Sequence, residues 1–238
     1  MERMSPLKKP EHYTATVTRI RKGRELQILN FECDRPVSFV AGQFLMLELP
    51  TGGQRGYSIA SKPVADSSLE LIVGNVVVGK GTQYLCSLKT GDQVNFLAPL
   101  GMFGFLDAGQ DETFFIATGA GIASLRSIYT DRLSKGFEGR MRVVYGSRFE
   151  ENMLYKNEME ALAAAHPNFT FENVLSRPSE EWTGKKGYVT DVLKTTNLND
   201  GKKRLFFLCG RQEMIKDVRE YLKSQGIPNE QIRFESYG

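Results

Sequence analysis

The chain has 238 residues, of which 41% are hydrophobic and 25% are charged, and its formal net charge at pH 7 is +3. This balance is that of a folded globular protein and excludes long disordered stretches. A surplus of three positive charges is too small to indicate a nucleic-acid-binding protein. The length suffices for one large domain or for two domains of ordinary size.

Three cysteines, Cys33, Cys86 and Cys209, lie far apart, and no Cys-x-x-Cys pair occurs. This spacing predicts no disulfide framework, and no iron–sulfur or zinc site built by this chain. The first residues, MERMSPLKKPEHY, lack the apolar stretch of a signal peptide, and no run approaches the roughly 20 apolar residues of a membrane span. We therefore expect a cytoplasmic protein without a membrane span.

The first hundred residues carry the alternation of apolar and polar residues that is typical of β-strands. Six segments show it: 13–20, 25–31, 43–49, 55–60, 69–78 and 94–97. Gly or Pro separates most of them, and one helical stretch, 81–88, precedes the last. The pattern predicts a six-stranded antiparallel β-barrel over residues 1–107.

From about residue 108 short apolar strands alternate with amphipathic helices. The predicted strands are 113–117, 141–145, 169–175, 205–209 and 233–236, and the predicted helices are 122–134, 155–166, 188–194 and 214–225. Such alternation is typical of a mostly parallel sheet covered on both faces, so we predict an α/β domain over residues 108–238.

One turn in this second half has the pattern of a phosphate-binding site. Thr118-Gly119-Ala120-Gly121-Ile122 joins an apolar strand to a helix. Its glycines let the backbone approach a ligand, and the helix start offers amide groups and a positive dipole to a phosphate. Ser124 stands where the dinucleotide fingerprint has its third glycine, so a tight turn without a ligand is the alternative.

Cationic residues follow the neighbouring predicted strands. Ser147-Arg148 follows the strand 141–145 without an acidic residue for the ribose hydroxyls, Ser176-Arg177 follows the next strand, and Gly210-Arg211 follows the strand 205–209. Parallel sheets bind ligands at the carboxyl ends of their strands, and an arginine there suits a 2′-phosphate. The pattern favours NADPH as co-substrate, with NADH as the alternative.

The order of the motifs resembles that of the ferredoxin–NADP⁺ reductase superfamily, over residues 13–237. The matching segments are Arg55-Gly56-Tyr57-Ser58, 81–85, 88–92, 99–103, 118–123, 145–148, 176–178, 209–210 and Glu235-Ser236-Tyr237. Each segment by itself is a weak signal. Their collinear order carries the resemblance.

The resemblance implies a flavin site in the barrel. Arg55 is expected to bind a flavin phosphate, Tyr57 to pack against the isoalloxazine ring, and Ser58 to lie near flavin N5. Gly81, Thr82 and Gln83 are expected to offer amides and a hydroxyl to the phosphates. FAD is the expected flavin. FMN is the alternative, because the segment 71–78 holds no aromatic residue to cover an adenine.

The resemblance also implies a catalytic group at the nicotinamide. Cys209 is expected near nicotinamide C4 and Glu235 is expected to polarise the site, which both share with Ser58. Tyr237 is expected to cover the second face of the flavin and to move aside for the nicotinamide. Gly238 follows Tyr237, whereas plant-type members end on the aromatic residue itself.

The implied activity is hydride transfer between NADPH and FAD, with single electrons passing between FAD and a small acidic carrier such as ferredoxin or flavodoxin. Only about a dozen residues precede the predicted barrel and only Gly238 follows Tyr237, so we expect a separate carrier and no fused ferredoxin domain. Basic residues that crowd a predicted hairpin suit such a partner: Arg19, Arg21, Lys22 and Arg24. The alternatives are an NADH-dependent reductase component of an oxygenase, a free-flavin reductase, a non-catalytic flavin-binding electron-transfer subunit, and a module that has lost its flavin.

Overall fold

A computed structural model describes residues 8–74, 79–105 and 108–237, with the exception of the Tyr237 side chain. The chain forms two compact units. The first comprises Met1–Leu106 together with Arg126–Asp131, and the second comprises Asp107–Leu125 together with Arg132–Gly238. Each unit is built on one six-stranded sheet. No helix among the described residues is both long and apolar enough to cross a membrane.

The first unit is an antiparallel sheet that curls until its edges meet. Its elements are β1 (Glu11–Lys22), β2 (Leu26–Cys33), β3 (Phe44–Glu48), β4 (Gln54–Ser58), β5 (Ser68–Gly74), helix α1 (Lys80–Ser87) and β6 (Gln93–Leu100). The strand order is β4-β3-β6-β1-β2-β5, and a bridge between Ile59 and Leu71 links the continuation of β4 to β5. The predicted antiparallel barrel is therefore confirmed. The predicted strand 69–78 ends at Gly74 in the structure, and residues 75–78 lie outside the described ranges.

Alternation along the strands builds the interior of the barrel. On β1, Tyr13, Ala15 and Val17 are buried, and they belong to the same core cluster as the fully buried Leu29 of β2 and Leu47 of β3. Burying a large apolar side chain contributes about 1.5–3 kcal/mol, so this interior fixes the register of every strand.

The second unit is a parallel sheet. Its elements are β7 (Glu112–Thr118), α2 (Ile122–Ser134), β8 (Arg140–Ser147), α3 (Lys156–Ala165), β9 (Phe169–Leu175), β10 (Lys185–Lys186), α4 (Val189–Lys194), β11 (Arg204–Arg211), α5 (Gln212–Ser224) and β12 (Ile232–Tyr237). The order is β10-β9-β8-β7-β11-β12, so the chain leaves β7 toward β8 and later returns to its other side as β11. This reversal between β7 and β11 is the switch point at which such sheets bind ligands.

Successive residues of β7 and β11 are buried, which is why both read as continuous apolar runs. Phe114 stacks on Phe206 with ring centroids 5.1 Å apart, and Phe115 stacks on Phe207 at 5.5 Å. All four are fully buried. Adjacent residues point to opposite faces of a strand, so both faces of this sheet are covered. The predicted α/β architecture is confirmed, and only the two-residue β10, which consists of exposed lysines, had no apolar pattern to reveal it.

Candidate functional site

The start of α1 lies directly against side chains of β4. A Cβ atom added to Gly81 would lie 2.6 Å from the Tyr57 hydroxyl oxygen and 2.8 Å from Arg55 Cγ. Only glycine therefore allows this approach. Arg55 and Tyr57 are two residues apart on one strand and so share a face. The structure thus brings together three of the residues that the family resemblance assigns to the flavin.

This corner of the first unit has the groups that a phosphate requires. The first amides of a helix have no acceptor within it, and the helix dipole adds partial positive charge. The exposed Arg55 adds a guanidinium, and Thr82 adds a hydroxyl. The first turn of α1 contains no acidic residue. A cradle that a Cβ would fill, with a cation beside it, fits the phosphates of a flavin nucleotide.

The backbone amide of Gln83 is not available to a phosphate, contrary to the expectation. Its backbone N–H donates to the carbonyl of Gly79 at 3.1 Å, so this amide is already used inside α1. The amides without an intrahelical acceptor belong to the residues before it. Gln83 keeps only its exposed side chain for a ligand.

Tyr57 presents a fixed aromatic ring. It is half-buried and packs against the apolar interior of the barrel. Burial raises the pKa of its phenol, and a hydrogen bond with Thr82 offsets part of that rise. The ring therefore stays neutral at physiological pH, as a flat apolar support for a flavin ring requires.

Ser58 ends β4 at a buried position, with 6% of its surface exposed. Hydrogen bonds also hold the backbone of the two residues that follow Ser58. The N–H of Ile59 donates to the Gln43 carbonyl at 3.1 Å, and the N–H of Ala60 donates to the Glu70 carbonyl at 2.8 Å. Ser58 is therefore fixed by its own strand and by the residues that follow it.

In the second unit the turn after β7 is pressed against the end of β11. A Cβ added to Gly121 would lie 2.1 Å from the Cys209 carbonyl oxygen, and one added to Gly210 would lie 2.2 Å from Thr118 Oγ1. Gly119 has φ +56°, in the left-handed region that favours glycine. The structure therefore places this turn at the switch point of the sheet, in backbone contact with Cys209 and Gly210.

Thr118 carries a polar atom that the protein leaves unused. Its Oγ1 is buried and has no hydrogen-bond partner among the described residues. A buried hydroxyl without a partner costs about 1–3 kcal/mol, so such atoms persist mainly where something else satisfies them. Together with the close-packed glycines and the helix start at Ile122, this hydroxyl fits a bound dinucleotide.

The ends of β8 and β9 bring two of the predicted cations together. The N–H of Ser176 donates to the Ser147 carbonyl at 3.0 Å, and the N–H of Arg177 donates to the Arg148 carbonyl at 2.9 Å. Arg148 and Arg177 therefore leave adjacent strands side by side. Arg211 does not join them, because β11 lies two strands from β8, roughly 10 Å along the sheet.

Sequence reasoning missed an acidic residue at this edge. Glu150 begins a short 3₁₀ turn two residues after Arg148, and its Oε1 accepts hydrogen bonds from the N–H and the hydroxyl of Ser179, both at 2.8 Å. These bonds lower the pKa of the carboxyl, so it is ionised. Glu150 lies beyond the end of the predicted strand 141–145, so it was not considered as a ligand for the ribose. The sequence pair Glu150-Glu151 could have indicated it.

Cys209 and Glu235 are partners in the register of β11 and β12. Cys209 is fully buried, and burial raises the pKa of Glu235 to about 7. A buried thiol and a carboxyl that titrates near neutrality thus lie side by side, one residue from the contact between Gly210 and Thr118. Tyr237 ends β12 opposite Arg211, and its side chain lies outside the described residues.

The raised pKa of Glu235 predicts a pH-dependent stability. The folded chain holds this proton more tightly than the unfolded chain, so the associated stability is full below pH 4.5 and is lost as the pH rises toward 7. Glutamine cannot ionise. Between pH 5 and pH 8 we therefore expect the free energy of unfolding of Glu235→Gln to fall by about 1–2 kcal/mol less than that of the wild type, after allowance for solvent screening. Urea unfolding of both proteins at pH 5 and pH 8 measures this difference. Parallel pH profiles for the two would contradict it.

Comparison with known proteins identifies a domain family for each half of the chain. The family model for the oxidoreductase FAD-binding domain matches residues 15–105, and the one for the oxidoreductase NAD-binding domain matches residues 115–220. Ferredoxin--NADP reductase B of Sorangium cellulosum (strain So ce56) is 33% identical over 208 residues, which cover 84% of this chain and 85% of that protein.

Other relatives are larger proteins. The phenol 2-monooxygenase reductase component DmpP of Pseudomonas sp. (strain CF600) is 35% identical over 191 residues, 79% of this chain, but the match spans only 54% of DmpP. A solved ferredoxin reductase in carbazole 1,9a-dioxygenase shares the fold, with a TM-score of 0.86 and 21% identity over 98% of this chain and 71% of that one. The chain therefore belongs to the ferredoxin–NADP⁺ reductase superfamily and is a flavin-dependent oxidoreductase that uses FAD and a nicotinamide dinucleotide.

Proposed function

We propose that the protein passes a hydride between NADPH and FAD and single electrons between FAD and a protein carrier of the ferredoxin or flavodoxin type. The observation that carries the proposal is the contact of Gly121 with the Cys209 carbonyl, which joins a phosphate-binding turn to the thiol and carboxyl pair of Cys209 and Glu235. Bound FAD supplies the exchange between two-electron and one-electron chemistry. The flavin unit is assigned to residues 1–107 and the dinucleotide unit to residues 108–238.

On the flavin side the protein binds and orients. Arg55 and the start of α1, with Gly81, Thr82 and the side chain of Gln83, bind the phosphates of FAD. Tyr57 supports the ring system, and Ser58 offers its hydroxyl to the flavin N5 region. Rigid supports of this kind act by holding reacting atoms in place.

On the nicotinamide side Thr118, Gly119, Gly121 and Ile122 bind the pyrophosphate. Cys209 and Gly210 form the floor under the nicotinamide ring. Glu235, which titrates near neutrality, holds or releases a proton at its carboxyl there. Tyr237 keeps its proposed role as the movable cover of the flavin.

The choice of NADPH rests on Arg148 and Arg177, with the hydroxyls of Ser147 and Ser176 beside them. We expect Arg148→Ala combined with Arg177→Ala to lower kcat/KM for NADPH about 10- to 100-fold, because two charge-assisted hydrogen bonds to a phosphate are lost. The value for NADH should stay within about twofold. Arg211 is left out of this role because β7 lies between its strand β11 and β8.

Steady-state kinetics with both nicotinamides measures this effect. Arg140→Ala is the matched control, because Arg140 is an exposed arginine at the opposite end of the same strand. A wild-type preference for NADH of about tenfold or more, equal to about 1.4 kcal/mol, would contradict the role of both arginines.

A second candidate function is an NADH-dependent reductase component of an oxygenase. Glu150 favours it, because an ionised carboxylate near the ribose suits a free 2′-hydroxyl and repels a 2′-phosphate. DmpP, a reductase component of a phenol monooxygenase, is one of the relatives. If this function is the correct one, Glu150→Gln lowers kcat/KM for NADH and raises it for NADPH.

The proposed docking surface for an acidic carrier is the hairpin between β1 and β2. Arg19, Lys22 and Arg24 are exposed there, whereas the Arg21 guanidinium pairs with Glu70 at 3.3 Å. We expect reversal of the three exposed charges to glutamate to slow carrier reduction at least tenfold at low salt, because electrostatic steering is lost. Reduction of ferricyanide, a small acceptor, should not change.

Salt dependence of carrier reduction is the diagnostic measurement for this surface. Lys194→Glu combined with Lys216→Glu is the control, since both lysines are exposed cations outside the hairpin. An unchanged rate and salt slope after hairpin reversal would exclude the surface.

The three cysteines are free thiols, which supports the proposed cytoplasmic setting.

A further inference from the structure

The middle of α2 belongs to the first unit, where it holds the residues that follow Ser58. Nη1 of Arg126 donates to the Ala60 carbonyl at 2.7 Å, and the hydroxyl of the fully buried Ser127 donates to the Ser61 carbonyl at 2.7 Å. Two consecutive helix residues thus hold two consecutive carbonyls. The first of these carbonyls is only two residues beyond Ser58.

A buried carboxylate fixes the Arg126 side chain. Glu70 Oε1 lies 3.2 Å from Arg126 Nη1, and the side chains are 16% (Arg126) and 10% (Glu70) exposed. The other oxygen of Glu70 accepts from Asn30 at 2.8 Å and from Arg21 at 3.3 Å. Because several donors bind the Glu70 carboxylate, its side chain is held in one conformation. The guanidinium of Arg126, which pairs with it, is held in place as well.

Glu70, Arg126 and Ser127 together form what we call the strap. Backbone groups of Glu70 also hold the segment of Ala60 and Ser61. The Glu70 carbonyl accepts from the N–H of Ala60 at 2.8 Å, while the Glu70 N–H donates to the Ser61 hydroxyl at 3.3 Å. The exit of β4 is therefore tied to β5 by its backbone and to α2 by Arg126 and Ser127. Removal of the guanidinium would free the Ala60 carbonyl and leave the charge of Glu70 partly unpaired.

We propose that Arg126 is a positioning residue for hydride transfer: held by Glu70, it fixes the segment from Ser58 to Ser61 and so holds the Ser58 hydroxyl in place. This inference rests on the proposed role of Ser58 at the flavin. Misplacement of a reacting group by 1 Å costs up to about 100-fold in rate. Because the Ala60 carbonyl is two residues from Ser58, we expect loss of the Arg126 contact to lower the rate of hydride transfer more than the affinity for the cofactor.

The test compares Arg126→Met and Arg126→Lys in the purified flavoprotein. We expect Arg126→Met to keep its FAD and its dissociation constant for NADPH, while the rate of flavin reduction in anaerobic stopped flow falls at least tenfold. Arg126→Lys keeps the charge and one hydrogen bond, so it should recover to within about threefold of wild type. Arg142→Met is the control. It removes a comparable partly buried ion pair, with Glu172, outside the strap.

A lowered melting temperature with a wild-type reduction rate in Arg126→Met would overturn the inference, as would an equal slowing in Arg142→Met. If Arg126→Met does not fold, Ser127→Ala decides, because it removes the second hydrogen bond from α2 to this segment, and a wild-type reduction rate in Ser127→Ala overturns the inference. Ser58→Val separates the two proposals. A wild-type rate in Ser58→Val overturns the role of Ser58 and this inference with it, whereas a slow Ser58→Val beside a normal Arg126→Met overturns the inference alone.

Discussion

Gly121→Ala is expected to abolish use of the nicotinamide dinucleotide and to destabilise the second unit. The new methyl group would lie 2.1 Å from the Cys209 carbonyl oxygen and 2.4 Å from its carbon, both backbone atoms that cannot rotate away. The turn must move off β11 to admit it. A forced backbone shift in a close-packed region costs about 1–3 kcal/mol or more, and the shift also displaces the amides that we propose to bind the pyrophosphate.

The measurements for Gly121→Ala are the dissociation constant for NADPH and the free energy of unfolding. We expect binding to weaken at least 100-fold while the bound flavin and its spectrum remain. Gly104→Ala is the matched control, because a Cβ there would meet its nearest atom at an ordinary 3.6 Å. NADPH binding by Gly121→Ala at the wild-type affinity would show that the turn is not the pyrophosphate site.

Ser58→Val is expected to slow flavin reduction about 100- to 1,000-fold while the flavin content is largely kept. Valine is favoured in strands and removes the hydroxyl, and loss of one well-placed hydrogen-bonding group at a reacting centre has this size of effect. Arg55, Tyr57 and the start of α1, which we propose to hold the cofactor, are unchanged in this variant. The division of roles along β4 therefore predicts a defect in the rate and not in binding.

Anaerobic stopped flow gives the reduction rate, and the absorbance ratio of flavin to protein gives the content. Ser68→Val, an exposed serine at the start of β5, is the control for the valine substitution itself. A flavin-free Ser58→Val protein would contradict the division between residues that hold the flavin and the residue that takes part in the reaction.

The elements could be predicted from the sequence because their signals are local. The period-2 pattern of β1 and the apolar runs of β7 and β11 each occupy fewer than about fifteen residues, and burial dictates them directly. The turn at Gly119 and Gly121 was visible for the same reason. Strand β10 was not visible, since its two lysines carry no apolar pattern.

Contacts between distant residues left no such signal. Arg126 reads as an ordinary polar position on an amphipathic helix, yet its partner Ala60 lies 66 residues earlier in the chain. The bond that the Ser179 hydroxyl donates to Glu150 spans 29 residues and depends on β8 and β9 being neighbours. The amide of Gln83 was misassigned because the first residue of α1 decides which amides lack an acceptor, and helix ends are the least predictable part of a pattern.

Anaerobic titration of the purified protein with NADPH tests the proposed electron transfer from NADPH through FAD most directly. The titration is followed by absorbance, and the released flavin is identified by mass. We expect one FAD per chain, bleached by NADPH and restored by an acidic one-electron carrier, with slower bleaching by NADH. A colourless protein, or a bound flavin that neither nicotinamide reduces, would contradict it.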